Sequence, residues 1–325
     1  MSPRVSLVSR PCSICNNLTD EFNYGVISCN PCKMVFRRVM KFETKFDHCL
    51  CGNKKSTSCR CCRFSACIAG GMKISCIQKY KHATLIQNLI KMDHKRNNTF
   101  FNYQMCEDLS LDQLMISGVP KIKDQGVRFT SHDWVSMEIY STIEFMKNLD
   151  LVHILTSNDL MIFVKNAHFK CAIFFIAVRS YMAKMEFMTF PDNVDVFPEE
   201  ISNVPDYSPK LLNRIRTLLI SKFREFDVSI EELLLVVTII ICDPSVAGLS
   251  EFSMNVISQY QRIYSSALQA ICQNKCKASW PTRFTNLLFL SNILTKTIKD
   301  LDDVVVLFKY HQPALPLRKL VKDSF

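Results

Sequence analysis

Beyond about Cys106 the chain is written in long apolar blocks with helical periodicity, at 134–151, 158–186, 209–226, 229–242, 251–274 and 281–299. The blocks break at Pro191, Pro198, Pro205, Asp243-Pro244 and Pro281, where a ring that lacks an N–H ends a helix. Phe169 to Met182 and Ile230 to Cys242 are apolar nearly all round, the mark of helices buried on every side. This half is expected to be all-helical. The stretch from Lys79 to Asn98 is polar and rich in lysine; Leu85, Ile86, Leu89 and Ile90 share one face there, and its end reads as a hinge. A division follows into a cysteine-rich module at 9–79, a hinge at 80–105 and a helical domain at 106–325. Uninterrupted apolar runs such as Leu233 to Cys242 fall short of the roughly 20 residues that cross a bilayer. Met1 to Arg10 has no apolar centre of the kind a secretion signal needs. The expectation is a soluble intracellular chain without a membrane partner.

Length and composition sharpen this division. At 325 residues, two domains are the natural prior. Of the 16 cysteines, 11 lie between Cys12 and Cys76, and without a secretion signal such a cluster points to metal rather than to disulfides. Residues 1–96 carry 17 Lys+Arg against 5 Asp+Glu, a net of +12, whereas residues 97–325 carry 23 against 25. Positive charge confined to the cysteine-rich part is the footprint of a polyanion binder.

Cys12-x2-Cys15-x13-Cys29-x2-Cys32 supplies two thiolate pairs, each with a gap that lets both sulfurs reach one tetrahedral zinc. Four sulfurs leave no position for water, so the site is structural, and its binding energy becomes folding energy. Directly after it, Lys33, Arg37, Arg38 and Lys41 fall on one side of a helix, and Val35, Phe36, Val39 and Met40 on the other. Such a helix packs by its apolar stripe and offers cations to a major groove and its phosphates. Pro31 is tolerated in its first turn. A second cluster follows at Cys49, Cys51, Cys59, Cys61, Cys62 and Cys67, ending in Gly70-Gly71-Met72.

Tyr24-Gly25-Val26, Cys29-Asn-Pro-Cys32-Lys-Met-Val-Phe-Arg-Arg38 and Cys59-x2-Cys62-Arg-Phe-x2-Cys67-x3-Gly71-Met72 together resemble the DNA-binding domain of nuclear hormone receptors, in the wording of the nematode branch. The likeness covers about residues 9–79. It implies zinc on Cys12, Cys15, Cys29 and Cys32, base contacts from Lys33 and Arg37, and phosphate contacts from Tyr24, Arg38 and Arg63. It also implies a second zinc on a Cys-x5-Cys-x9-Cys-x2-Cys pattern, from which this chain departs, because Glu43 stands at the x5 position. One resolution takes Cys49, Cys51, Cys59 and Cys62 around a contracted loop; another brings in Cys61. Cys67 is implied to be a buried core thiol. Asp159 to Lys165 and Leu249 to Leu268 resemble the family's ligand-binding domain, which implies a three-layer helical sandwich over about 106–325. The expected fold is thus a small two-zinc finger module of helices and loops joined to an all-α three-layer sandwich.

The resemblance further implies a nuclear transcription factor, regulating RNA polymerase II and without an assigned hormone. Its partners would be double-stranded DNA, transcriptional cofactors, a small lipophilic ligand, and a second receptor subunit in a homo- or heterodimer. Phe145, Met146, Phe174, Phe175, Met182 and Met185 are candidates to line an apolar cavity, with plain core packing the alternative for each. Activating members end in a helix whose glutamate clamps coactivators, and here Leu315 to Phe325 has no acid between two apolar pairs. Catalysis is not expected, since the seven histidines are scattered and no phosphate loop or zinc-protease signature occurs. The rival reading is a zinc-stabilised protein-interaction module, against which the cations at Lys33, Arg37 and Arg38 argue.

Overall fold

The structure is a computed structural model that describes residues 10–40, 51, 58–72, 78–117, 120–202, 208–312 and 318–323. Two short antiparallel pairings open it: β1 (Arg10–Pro11) with β2 (Leu18–Thr19), and β3 (Phe22–Asn23) with β4 (Val26–Ile27). Ribbons of this length have no stability of their own. They stand because α1 (Asn30–Met40) and α2 (Arg60–Ala69) pack beside them, burying Phe36, Val39, Met40, Phe64, Ile68 and Met72 in a small core. The Phe36 and Phe64 rings lie 5.9 Å apart. Past α2 the chain turns at Gly71, whose φ of +86° is one that only glycine adopts without strain.

The rest is helical: α3 (Gln78–Asn102), α4 (Leu111–Ser117), α5 (Ser131–Lys147), α6 (Ser157–Met182), α7 (Glu199–Ser202), α8 (Pro209–Glu225), α9 (Ile230–Ile241), α10 (Glu251–Cys276), α11 (Trp280–His311) and α12 (Lys319–Lys322). One hairpin, β5 (Tyr103–Gln104) with β6 (Lys121–Ile122), interrupts them. Helix α5 packs between α3 and α6, α6 reaches α8, α9 and α11, and α10 lies between α9 and α11. The result is three layers: α3 and α5, then α6, α9 and α10, then α8 and α11. Ile154, Phe252 and Ile263 of this domain also pack against the small amino-terminal core, where α2 meets α10.

Local sequence sets the starts of the helices. Thr130 with Asp133 and Ser229 with Glu232 form reciprocal capping boxes on α5 and α9. Thr156 caps α6 through the Asp159 N–H, and the buried Asp159 carboxylate accepts from the Ser250 N–H at 2.9 Å and from the Ser250 and Ser253 hydroxyls, each at 2.8 Å. One carboxylate thereby joins the starts of α6 and α10. Burial pushes its pKa up, but these three donors and the Thr156 hydroxyl, which donates to Asp159 Oδ2 at 2.8 Å, outweigh burial and hold it below the ordinary value. Its contribution is therefore present above the unfolded pKa of about 3.9 and is lost as pH falls through the lower folded pKa. Asp159→Asn is expected to cost about 1–3 kcal/mol at pH 7, read from the urea midpoint, and to weaken the acid dependence. A wild-type midpoint at pH 7 would refute this role.

The segment read as a hinge, 80–105, is for the most part α3, with Leu85, Leu89, Asp93, Arg96 and Phe100 buried against the helical domain. Polar Asp93 and Arg96 hid that face, because they are buried as an ion network rather than solvated. Helix α6 is long and apolar enough by composition to span a membrane, although no single run in it reaches that length. It is instead a central core helix, with Phe163, Val164 and Cys171 to Val178 buried. Phe145, Met146, Phe174 and Phe175 follow the core-packing alternative and are plain core, and Met182 is 52% exposed. None of the six residues proposed for the cavity lines the apolar space of about 100 Å³ bounded by α5, α6, α11 and α12, which has Val135, Ile139, Ile173, Val304, Arg318 and Val321 in its walls.

Candidate metal centres and nucleic-acid interface

The turn after β1 carries Cys12 and Cys15, Cys29 ends the loop ahead of α1, and Cys32 lies in the first turn of α1. The four sulfurs lie within 4.8 Å of one another, with Cys15 Sγ 3.4 Å from Cys29 Sγ. Sulfurs on a tetrahedral zinc at about 2.3 Å stand roughly 3.8 Å apart, so this donor set fits the ion. Cys12, Cys29 and Cys32 are buried. Burial pushes the Cys12 thiol up, yet backbone N–H groups of Cys29, Cys15 and Ile14 outweigh it and bring the pKa down to about 7. Burial, aided by the neighbouring thiols, pushes Cys32 strongly the other way. Four crowded sulfurs resist joint ionisation, and a divalent cation is the partner that removes this penalty.

At the second cluster Cys51, Cys59 and Cys62 bring their sulfurs within 4.8 Å of one another, Cys51 and Cys62 at 3.2 Å. Cys61 is not in this group, which among the described residues comprises those three. Cys49 lies outside the described residues, as does Lys41. Cys67 is fully buried, points its sulfur at the Cys32 carbonyl at 3.7 Å, and is pushed up to about 12 by burial. It is a core thiol.

Helix α1 starts at the first metal set and buries Cys32, Phe36, Val39 and Met40, which turns Arg37 and Arg38 to solvent. Lys33 is half-buried, and its Nζ lies 3.3 Å from Glu21 Oε2. That carboxylate also accepts from Asn23 Nδ2 at 3.1 Å; the Asn23 bond first, and Lys33 second, hold it below the usual range. Tyr24 occupies the β3–β4 turn with φ +54°, its ring 4.8 Å from that of Phe36, and burial raises its phenol against the fields of Arg37 and Lys33. Arg63 of α2 is half-buried, and its buried Nε has no hydrogen-bond partner among the described residues. Tyr24, Lys33 and Arg37 thus share one surface.

Sequence reading missed Glu21 and Asn23, which lie 12 and 10 residues before Lys33 and are delivered to it by the hairpin. It also passed over Asn30, exposed in the first turn of α1 and one helical turn before Lys33. The i, i+3 spacing on a basic face was the available signal.

Residues 10–74 match the family model described as a double treble clef zinc finger of C4 type, and residues 121–311 match that of the ligand-binding domain of nuclear hormone receptor. Nuclear hormone receptor family member nhr-9 of Caenorhabditis elegans is 34% identical over 97% of this chain and 96% of its own length. The chain belongs to the nuclear hormone receptor family. Family members nhr-167 and nhr-27 of the same organism are 32% and 34% identical, over 98% and 93% of this chain and 98% and 88% of their own. The receptor is accordingly a zinc-binding, DNA-binding transcription factor, its zinc held by the cysteine clusters of the finger. Transcription factors, not enzymes, make up this family.

Proposed function

We propose that the receptor is a sequence-specific regulator of RNA polymerase II transcription, resident in the nucleus and without a dedicated hormone. The observation that carries this is the cationic face of α1, fixed at its start by the four-sulfur site and exposed at Arg37 and Arg38 among the described residues. In this reading Lys33 and Arg37 meet base edges in the major groove, while Tyr24, Arg38, Lys41 and Arg63 hold phosphates. Glu21 keeps Lys33 extended over the groove, and Asn30 adds an amide suited to an adenine edge. Cys49 completes a second zinc site with Cys51, Cys59 and Cys62. The finger spans 9–79 and the helical domain, from 106 on, recruits transcriptional cofactors. Pairing with a second receptor subunit belongs to the same reading. The cavity, at about 100 Å³, admits a small apolar molecule as it stands, and a lipophilic hormone of ordinary size needs it to widen.

The test is a binding titration of the full chain on random and selected duplexes between about 50 and 200 mM salt, across which affinity should fall steeply as phosphate counterions are released. Arg37→Ala is expected to cost about 1–3 kcal/mol on the preferred duplex and to relax base choice at one position. Salt-insensitive binding, or an Arg37→Ala variant that keeps the wild-type preference, would overturn the assignment and favour a protein-binding finger.

A further inference from the structure

Among the described residues of the finger the only carboxylates are those of Asp20 and Glu21, and Glu21 stands against Lys33, on the surface that faces DNA in the reading above. A negative charge in that place repels phosphate and lowers affinity for every duplex alike. A loose surface acid there brings only that cost.

Glu21 is not loose. Its N–H donates to the Thr19 hydroxyl at 3.1 Å, and its carbonyl accepts from the N–H of buried Ser28 at 3.1 Å. Its Oε2 accepts twice, from Asn23 Nδ2 at 3.1 Å and from Lys33 Nζ at 3.3 Å. Asn23 is fixed in turn, because the same Nδ2 also donates to the Ser28 carbonyl at 2.9 Å. The hairpin thus grips the carboxylate from one side and α1 from the other. Both donors go to one oxygen: among the described residues Glu21 Oε1 accepts no hydrogen bond, and the side chain is 41% exposed. An oriented acceptor therefore stands open beside the Lys33 ammonium.

We propose that Glu21 is itself a base-reading residue, whose open Oε1 accepts from the exocyclic amine of a cytosine within one base step of the guanine taken by Lys33. The inference rests on the reading of α1 as the groove-facing helix. In the major groove guanine shows only acceptors, N7 and O6, and cytosine shows its N4 amine as a donor. Lys33 and Glu21 present a donor and an acceptor side by side, the complement of those two edges. Thymine O4 and guanine O6 set oxygen against the carboxylate, and adenine carries the N7 acceptor next to its amine. Because the side chain is already fixed, little rotamer freedom is lost on contact. The charge that weakens binding to DNA in general thereby favours one sequence over the rest.

The test is selection of duplexes from a randomised pool by the full chain, as wild type, Glu21→Gln and Glu21→Ala, followed by titration of each on the wild-type sequence and on random duplex. In Glu21→Gln the donors of Asn23 and Lys33 hold the amide oxygen inward and turn its amine outward, so a donor replaces the open acceptor. Wild type is expected to choose cytosine beside the guanine, Glu21→Gln to choose guanine or thymine there, and Glu21→Ala to choose nothing. Each variant should bind the wild-type sequence about tenfold more weakly, the worth of a base contact, yet bind random duplex more tightly, since a repelling charge has gone. Unchanged zinc content in both variants separates a lost contact from a lost fold. A residue that only orients Lys33 weakens the choice of guanine and leaves its neighbour alone, and that pattern, or one sequence preference shared by all three chains, would overturn the proposal. A wild type with no base preference at all would overturn the reading of α1 beneath it as well.

Discussion

Replacing Cys15 by Ser is expected to remove one zinc per chain and to abolish DNA binding altogether. Cys15 Sγ sits 3.4 Å from Cys29 Sγ within a set of four, and a serine hydroxyl is a poor substitute for a thiolate on zinc. The amino-terminal strands are two residues long, and the core beneath α1 and α2 is small, so zinc binding worth about 10–16 kcal/mol exceeds anything the apolar contacts supply. Without it α1 loses its anchor and its cations lose their common face. Elemental analysis and anisotropy on a short duplex at about 50 mM salt read both effects. A variant with wild-type zinc content and full binding would remove the metal from the explanation of this fold. Two controls sharpen the result: Cys67→Ala should keep the zinc count while losing packing, and Cys61→Ser should keep it while Cys51→Ser does not.

Much of this was legible in the chain itself, and the places where it was not have a common cause. Cysteine spacing exposed the first metal set because ligand geometry demands short fixed gaps, and the spacing Lys33, Arg37 read as a face because α1 buries the opposite stripe. Helical blocks in the second half lie within a few residues of α6, α8, α9 and α10 at their starts, where Ser and Thr caps mark them. The block at 281–299 stops short, since α11 runs on to His311. Its continuation looks polar, with Asp300, Asp302 and Asp303, yet Leu301, Val304, Val305 and Phe308 carry the stripe onward and Asp300 is held by both Arg214 nitrogens at 2.6 and 2.7 Å. The hidden part of α3 fails for the same reason, and α4 has too few residues to show a period at all. Where a charged residue is buried with a partner distant in sequence, periodicity assigns it to the surface.

Glu138→Gln is expected to produce the largest loss of stability in the helical domain. Glu138 of α5 is fully buried, 3.1 Å from Arg96 of α3 and 2.5 Å from Arg179 of α6, while Arg96 also pairs with Asp93 at 2.8 Å. Two cations thus face two carboxylates where water does not reach. The guanidinium of Arg179 lies 3.6 Å from the Phe100 ring centre and that of Arg96 lies 3.9 Å from that of Phe175, so aromatic faces share in holding them. Arg179 Nε and Nη1 have no hydrogen-bond partner among the described residues, which leaves that cation dependent on Glu138. Neutralising Glu138 strands a buried positive charge, and breaking such a network from one side costs about 3–5 kcal/mol, far more than the loss of an exposed pair such as Lys121–Asp124. Removing both partners tells a different story. Glu138→Leu with Arg179→Met leaves Arg96 balanced by Asp93, and much of the loss should return, because a buried ion pair replaced by apolar groups of like volume is often neutral. Chemical denaturation of wild type, the two single substitutions and the double reads this directly. If the double is as unstable as the sum of the singles, the network acts through shape and not through charge, and α3 is held to α5 and α6 by Leu85, Leu89 and Phe100 alone.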